Sequence, residues 1–496
     1  MRLILILLLF AASPVLAIDK DAVEKLANGD NDEKIVAIGA LLAEGDPEAA
    51  AVLAKFAEGE VVVKGKVVEV VVNNRLRSAV TDALAALGLL SPERATRLDA
   101  AKALAGGADA VMLPLVKKAL EKETDADIKP LLELTAASME MKGGDKATRI
   151  AAIQRLGTSN SPNSRTLLSE AATDADEDIR IAAQKSLREV QGSLAWGERA
   201  GLLFAGISLG SILLLAALGL AITYGLMGVI NMAHGELIMI GAYTTYMVQN
   251  FFKSHLAAAF DWYLLAAIPI SFMVSAAVGM ILERVVIRWL YGRPLETLLA
   301  TWGISLMLIQ SVRTIFGAAN VQVENPAFMS GGFQAFAGVV LPWSRLAIIV
   351  FAALVLFSIY LLLTKTRLGL FVRGVTQNRE MAACVSVHTG RVDMWAFGLG
   401  SGIAGLAGCA LSQIGNVGPD LGQGYIVDSF MVVVFGGVGQ LAGTVYAALT
   451  LGFANKFLEA VSGAVIAKIV VLVFIIFFIQ RRPQGLFAVK GRAVEA

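Results

Sequence analysis

A short polar motif stands at the start of a long apolar run in the second half of the chain. It reads Asn231-Met-Ala-His-Gly-Glu236. Ionisable groups inside membrane spans are costly and usually functional, so Asn231, His234 or Glu236 could line a polar path or fix a helix break beside it. Alternatively, Asn231 caps the helix, Glu236 enters its first turn, and His234 is a satisfied core residue. No third ligand candidate lies nearby, so no metal site is predicted.

A second polar segment lies between two apolar runs. Residues 365–391 carry five Lys/Arg against a single acid, Glu380. This basic excess predicts a cytoplasmic location, and the alternation of apolar and polar residues over 373–387 predicts an amphipathic helix. Such a helix is either a lipid-headgroup anchor or a docking helix for a soluble partner. The candidate docking residues are Arg373, Gln377, Asn378, Arg379 and Glu380.

A glycine-rich stretch near the end of the chain, Phe435-Gly-Gly-Val-Gly-Gln-Leu-Ala-Gly443, predicts a helix break. Gly436, Gly437 and Gly439 are candidates for this break or for the lining of a path, with helix packing as the simpler role. The stretch is not a nucleotide loop, because no Lys-Ser/Thr follows it, and the chain has no such motif elsewhere. We therefore expect no ATP hydrolysis by this chain, and no catalytic residue is predicted.

The composition divides the chain into a charged half and an apolar half. It has 496 residues and a formal net charge of +1, which gives no indication of nucleic-acid binding. Residues 200–480 contain 13 Lys/Arg and 10 Asp/Glu, roughly a third of the charge density of a soluble domain. Both cysteines, Cys384 and Cys409, lie in this apolar half, so no disulfide framework is expected.

The apolar half, 200–490, predicts an α-helical membrane domain with about eight spans, since a bilayer core needs about 20 apolar residues per helix. The predicted spans are Gly201–Tyr224, Val229–Phe251, Trp262–Glu283, Leu295–Phe316, Trp343–Thr364, Val392–Ile414, a broken region from Ile426 to Ala460, and Ala464–Ile479. The broken region must leave and return on one side, as two short spans or a re-entrant hairpin. Basic clusters at 284–293, 365–391 and 481–492 predict cytoplasmic loops and a cytoplasmic C-terminus.

The charged half predicts a signal peptide and a helical domain, so the fold class is all-α. Met1–Ala17 has the charge, apolar stretch and small-residue site of a cleaved signal, with an uncleaved anchor as the alternative; either delivers residue 18 onward to the periplasm. Residues 18–192 repeat a cation, small residues and a leucine at the seventh step, which predicts a HEAT-like solenoid. Residues 60–73 predict a β-hairpin instead, and 193–199 a linker.

Both polar segments resemble one family. Gly374-Val-Thr-Gln-Asn-Arg-Glu-Met-Ala-Ala383 resembles the coupling segment of permease subunits of the branched-chain amino-acid and urea/amide ABC importers. The motif at 231–236, with Tyr224-Gly-Leu before it and Gly241-Ala-Tyr243 after it, closely resembles the same family. The common coupling pattern is Glu-Ala-Ala with a glycine four residues on, whereas this chain has Glu380-Met-Ala-Ala and then Gly390.

The resemblance implies a multi-pass permease of the bacterial inner membrane. Its implied partners are a second permease, two cytoplasmic ATPases that use ATP, a periplasmic binding protein and membrane lipid; the chain itself would bind no cofactor. A signal peptide followed by a periplasmic repeat domain resembles the urea-type permease, so urea or a short amide is the expected substrate, with Asn231, Gln310 and Gln413 as candidate contacts. The alternatives are branched-chain amino acids, a membrane-tethered periplasmic scaffold, and a proton-driven carrier.

Overall fold

The chain forms two compact units, Met1–Gly197 and Glu198–Ala496. The computed structural model describes residues 20–44, 47–63, 66–70, 72–105, 112–125, 127–159, 161–336 and 338–487. The predicted signal peptide lies outside the described residues. The boundary between the units falls within the predicted linker, 193–199, but these residues are helical. Val190 and Leu194 are buried on one face of that helix, which favours continued helix over an irregular connection.

The first unit is built from short helices and one hairpin. Its elements are α1 Lys20–Asn28, α2 Asn31–Glu44, α3 Pro47–Ala57, β1 Glu60–Val63, β2 Lys66–Glu69, α4 Asn74–Gly88, α5 Arg94–Leu104, α6 Leu113–Lys122, α7 Ile128–Gly143, α8 Lys146–Thr158, α9 Pro162–Ala171 and the beginning of α10 Glu177–Met227. The predicted hairpin is confirmed: β1 and β2 are antiparallel, with Val61 opposite Val68. Leucines at the seventh step of the sequence repeat, Leu41, Leu104 and Leu156, are buried in the core.

The cation that opens the sequence repeat makes equivalent contacts in two repeats. Arg97 donates to the carbonyl of Ser91 at 3.1 Å and to the carboxylate of Glu123 at 2.8 Å. Arg149 likewise donates to a carbonyl of the preceding helix and pairs with Asp174, 25 residues further on. The hydrogen bond from Arg97 holds the pKa of Glu123 below its ordinary value despite burial. Such recurring links suit stacked repeats, while the HEAT-like class stays a prediction.

The second unit contains the apolar helices. They are the rest of α10, α11 His234–His255, α12 Tyr263–Val285, α13 Pro294–Phe316, α14 Trp343–Lys365, α15 Arg367–Gln377, α16 Arg379–Cys384, α17 Thr389–Ser412, α18 Leu421–Gly436, α19 Leu441–Ser462 and α20 Ala464–Arg481. Six are long and apolar enough to cross a membrane: α10, α12, α13, α14, α17 and α20. Helix α18 is apolar but shorter. The described residues thus give six candidate spans, and the count of about eight stays a prediction.

The two ends of the second unit differ in character. One, called here the basic end, is formed by residues 365–391 with α15 and α16. The other, the hairpin end, is formed by residues 317–342, which contain the antiparallel strands β3 Gly332–Phe336 and β4 Val339–Pro342. This second hairpin departs from the all-α prediction. An isolated bridge between Val321 and Val417 ties the hairpin end to the chain that follows α17.

The region predicted to be broken consists of α18 and α19 joined by a turn at 437–440. Gly437 and Gly439 have φ angles of 103° and 83°, in the left-handed region that glycine adopts without strain. After α20 the chain returns to this turn, where the amide of Leu486 donates to the carbonyl of Phe435 at 2.9 Å. The break therefore lies at the same end of the unit as the chain that follows α20.

Helix α17 is the centre of the second unit. With the exception of Leu399, its residues from Ala396 to Ser412 are buried. Five glycines on this helix lie at close range to neighbouring helices. A Cβ at Gly400 would lie 2.7 Å from the carbonyl of Gly219 in α10, and one at Gly405 would lie 2.6 Å from the carbonyl of Ser271 in α12. Small residues let the backbones of α10, α11 and α12 approach α17 closely.

Candidate functional site

The polar motif at 231–236 lies at a helix break inside the bundle. Helix α10 ends at Met227, and α11 begins only at His234. The Nε2 atom of His234 lies 3.0 Å from the carbonyl oxygen of Ala216 in α10. Ala216 precedes the end of α10 by eleven residues, or roughly 16 Å of helix. The connecting residues 228–233 therefore run back along α10, and α11 starts within the bundle rather than at its end.

The three polar side chains of the motif are fully enclosed. Asn231 and His234 are 0% exposed and Glu236 is 1% exposed. The Oδ1 atom of Asn231 accepts from the amide of Ala233 at 3.0 Å, and Ser305 donates to Oε1 of Glu236 at 2.8 Å. Among the residues that the structure describes, each also keeps a buried atom without a hydrogen-bond partner: Nδ2 of Asn231, Nδ1 of His234 and Oε2 of Glu236. Such an orphaned atom costs about 1–3 kcal/mol, so capping and packing alone do not account for the motif.

Helix α13 holds the break through two hydroxyl groups one turn apart. The amide of Met232 donates to Thr301 Oγ1 at 3.1 Å, and Ser305 is the donor to Glu236. Sequence reasoning missed both residues. The signal that could have found them is the pair of hydroxyls at i and i+4 in an apolar helix, which places both on one face.

Helix α18 begins beside the first turn of α11. A Cβ built on Gly235 would lie 2.6 Å from the carbonyl of Gly422, so the backbones touch there. Of the other two candidate contacts, Gln413 is buried and accepts from the hydroxyl of Tyr263 at 3.1 Å, whereas Gln310 is exposed on α13. The structure therefore does not bring Gln310 or Gln413 into hydrogen-bond contact with the motif at 231–236. Among the described residues no group of three or more His, Cys, Asp or Glu could hold a metal ion.

The basic segment forms two helices where the sequence predicted one. Asn378 is extended, with φ −153°, and its side chain accepts from the amide of Met381 at 2.9 Å. An asparagine in this position caps a new helix, so the prediction of a single helix over 373–387 was wrong. The break separates α15 from α16 and gives each its own direction.

Arg379 contacts residues of its own chain. Its guanidinium pairs with Asp393 of α17 and lies 4.9 Å from the ring centroid of Tyr291. The hydroxyl of Tyr291 donates to Oε1 of Glu283 at 3.2 Å. Glu283 is 0% and Asp393 3% exposed, although both stand near the ends of apolar helices, where solvation is the ordinary expectation. These four residues, Glu283, Tyr291, Arg379 and Asp393, are called here the Arg379 cluster.

The other candidate docking residues are exposed. Gln377 and Glu380 face away from the described protein, and Arg373 does so apart from a hydrogen bond to the carbonyl of Leu363. Burial raises the pKa of Tyr291, which lies between spans, so its hydroxyl stays a donor. The segment thus has an exposed face available to another protein, while Arg379 ties it to α17 and to the loop before α13.

These features define a polytopic helical membrane protein with polar groups at an internal helix break and an exposed basic segment between apolar helices. The family described as branched-chain amino acid transport system, permease component, matches residues 202–479. The chain belongs to this family, whose members are subunits of ABC importers and not enzymes.

The family match lies within the second unit, and each similar protein matches only part of the chain. The chain is 29% identical over 287 residues to the high-affinity branched-chain amino acid transport permease BraD of Pseudomonas aeruginosa, which covers 57% of this chain and 93% of BraD. It is 28% identical over 293 residues to LivH of Escherichia coli K12, covering 57% and 94%. The ribose import permease RbsC of the same strain is 25% identical over 204 residues, covering 39% and 61%. No solved structure matches the chain.

Proposed function

We propose that this chain is a permease subunit of an ABC importer for branched-chain amino acids. The observation that carries the proposal is the family membership of residues 202–479, together with the printed activities of BraD and LivH. The expected urea or amide substrate has no support from these relatives, and the alternative, branched-chain amino acids, fits them better. Ribose as the substrate has weaker support, because the match to the ribose import permease RbsC is shorter.

The helix break at 231–236 is the proposed gate of the path. Buried polar atoms without partners are expected where a second conformation, or a passing solute, supplies the missing contacts. Discontinuous helices with polar groups at the break are a common device of transporters. Asn231, His234 and Glu236, with Ser305 behind them, would exchange partners when the spans rearrange. A membrane tether for a scaffold protein would need neither a broken helix nor these orphaned atoms.

The basic end is the proposed docking site for the ATPases, which hydrolyse ATP. The exposed side chains of Gln377 and Glu380 supply contacts for the partner, while the Arg379 cluster transmits movement to α12 and α17. A second permease subunit and a periplasmic binding protein complete the proposed complex. Residues 18–192, within the first unit, are proposed to form a periplasmic repeat domain that holds no chemistry and contacts another protein.

The native cysteines offer a test of the proposed topology. Cys384 at the basic end is exposed and Cys409 is buried. If the basic end is cytoplasmic, an impermeant maleimide should leave Cys384 unlabelled in intact spheroplasts and label it after permeabilisation. Ser91→Cys, in the proposed periplasmic domain, should react in intact spheroplasts. Labelling of Cys384 but not Ser91→Cys in intact spheroplasts would reverse the topology.

Uptake by cells tests the proposed substrate. Deletion of this chain should lower the initial uptake of labelled leucine, isoleucine and valine by about tenfold at submicromolar concentration, where high-affinity import dominates. The full-length chain supplied from a plasmid should restore it, and uptake of urea should not change. Loss of urea uptake with normal leucine uptake would contradict the proposal and restore the urea interpretation.

A further inference from the structure

An ion pair on the surface of the second unit is not explained by the helix break or by the Arg379 cluster. Nη2 of Arg313, in the last turn of α13, donates to both carboxylate oxygens of Asp420, at 2.8 and 3.0 Å. The two side chains are 40% and 62% exposed. Nη1 and Nε of Arg313 have no hydrogen-bond partner among the described residues. Asp420 immediately precedes α18, so the pair joins the end of one helix to the beginning of another.

This pair adjoins the inner side of the hairpin end and lies deeper in the unit than the ion pair of Lys253 and Glu324. Phe316, three residues after Arg313, packs against Tyr243 of α11 with ring centroids 4.7 Å apart. Lys253, which pairs with Glu324 at the hairpin end, is ten residues further along α11, a distance of about 15 Å at the α-helical rise. A charged pair at this depth is costly in lipid, so its exposed side must face water or another protein.

The surroundings of the pair have a polar part and an apolar part. Gln310 and Gln423 are exposed one turn from Arg313 and Asp420, on α13 and α18. Leu306 and Val427, which are 45% and 51% exposed, lie seven residues from Arg313 and Asp420 respectively. Seven residues are two helical turns, so each lies below the pair on the same helix face. The two helices run in opposite directions along the bundle, and both aliphatic residues fall toward the basic end.

We propose that Arg313 and Asp420 bind the zwitterionic head of an α-amino acid on its way through the permease. The carboxylate of the substrate would accept from Nη1 or Nε of Arg313, which Asp420 leaves free, and its ammonium group would bind Asp420. A guanidinium group can hold two carboxylates at once through its five N–H donors. Leu306 and Val427 extend the same face with aliphatic side chains, which suit the branched side chain of the substrate. This inference rests on the proposed function and assigns its substrate contacts.

A buried acceptor lies further along the same route. Ser305, two turns before Arg313 on α13, binds Glu236, whose Oε2 has no partner. The first turn of α18 touches the same segment, since Gly422 packs against Gly235. Glu236 is enclosed in this conformation, so an ammonium group leaving Asp420 toward the basic end would reach its free oxygen when the proposed gate opens. Neutral urea offers no charge for either carboxylate, so the arrangement favours a zwitterion.

The test is leucine uptake by the complete complex in proteoliposomes, with a saturating amount of leucine-loaded binding protein. Arg313→Gln and Asp420→Asn should each lower initial uptake by about tenfold, while stimulation of the ATPases by loaded binding protein stays within about twofold. The matched controls are Lys253→Gln and Glu324→Gln, which break an exposed pair outside the proposed site. Uptake in both controls should remain near the wild-type rate.

Three results separate this inference from its alternatives. Uptake near the wild-type rate in Arg313→Gln and Asp420→Asn would refute the site. Full restoration by the exchanged pair, Arg313→Asp with Asp420→Arg, would make the pair a structural link only. If the single variants fail to assemble, Arg313→Lys decides: it keeps the charge but loses the planar set of donors that reaches two carboxylates at once, so uptake should fall at least about threefold, and an unchanged rate overturns the proposal. A wild-type complex that moves urea but no leucine would refute the proposed function itself.

Discussion

Replacement of Arg379 by alanine is expected to uncouple the transporter while leaving its ATPases attached. Asp393 is 3% exposed and loses its cation in this variant. Breaking a buried pair from one side costs about 3–5 kcal/mol, and we expect the lower end of this range because the Arg379 side chain is 46% exposed. The unpaired carboxylate should loosen α16 from α17. Leucine uptake should fall by about tenfold or more.

Replacement of Glu380, the exposed neighbour of Arg379, is expected to have a different effect. Glu380→Ala removes an exposed side chain that makes no hydrogen bond or ion pair with the described residues, so α16 should stay in place while docking weakens. We therefore expect Glu380→Ala to lower the amount of ATPase that co-purifies with the permease, and Arg379→Ala to retain it. Arg367→Ala, an exposed cation of the same segment, is the control for loss of charge. The exchanged pair, Arg379→Asp with Asp393→Arg, should recover part of the uptake.

Two outcomes would contradict this account of the basic end. Normal uptake in Arg379→Ala would show that the Arg379 cluster does not transmit movement. Loss of co-purified ATPase in Arg379→Ala to the same degree as in Glu380→Ala would mean that Arg379 serves the docking contact that the sequence first suggested.

A methyl group added at Gly408 is expected to destabilise the second unit strongly. A Cβ at this position would overlap the carbonyl of Ile238 and lie 2.8 Å from the amide nitrogen of Ala242, both in α11. Backbone atoms of a packed helix cannot move aside as a flexible side chain does. Overpacking of this kind costs about 1–3 kcal/mol or more, so Gly408→Ala should lower the thermal unfolding temperature of the detergent-solubilised chain.

Gly303 in α13 is the matched control. Among the described residues, no atom beyond the adjoining backbone of α13 lies within 4 Å of a Cβ built there, and alanine is favoured over glycine inside a helix by about 0.5–1 kcal/mol. Gly303→Ala should therefore leave the unfolding temperature unchanged or raise it slightly. Equal unfolding temperatures for Gly408→Ala and the wild type would contradict the close packing of α11 on α17.

Helix positions were largely predictable from the sequence because apolar length is a local property. The predicted span Leu295–Phe316 corresponds to α13, Pro294–Phe316, and the predicted span Ala464–Ile479 to α20, Ala464–Arg481. The prediction of the span Val229–Phe251 was wrong at its beginning, since α11 starts at His234 rather than Val229. Residues before His234 bind Thr301, about 70 positions away, and no local pattern encodes that contact.

The direction of the polar side chains was not predictable for the same reason. The sequence places Arg379 in a basic segment that is predicted to face solvent, yet its partners lie in α17 and in the loop before α13. Asp393 and Glu283 stand near span ends, where solvation is the ordinary expectation, but neighbouring helices cover both. Composition indicates how many charges a segment carries, while tertiary packing decides which of them are enclosed.

The substrate is tested most directly by ATP-driven uptake into proteoliposomes that contain this chain, its partner permease, the ATPases and the binding protein. Labelled leucine and labelled urea are compared in the same vesicles, with ATP omitted as the control. The account predicts that leucine accumulates only with both ATP and binding protein, and that urea stays at the level of the ATP-free control. Accumulation of urea above that control, with leucine at its level, would contradict it.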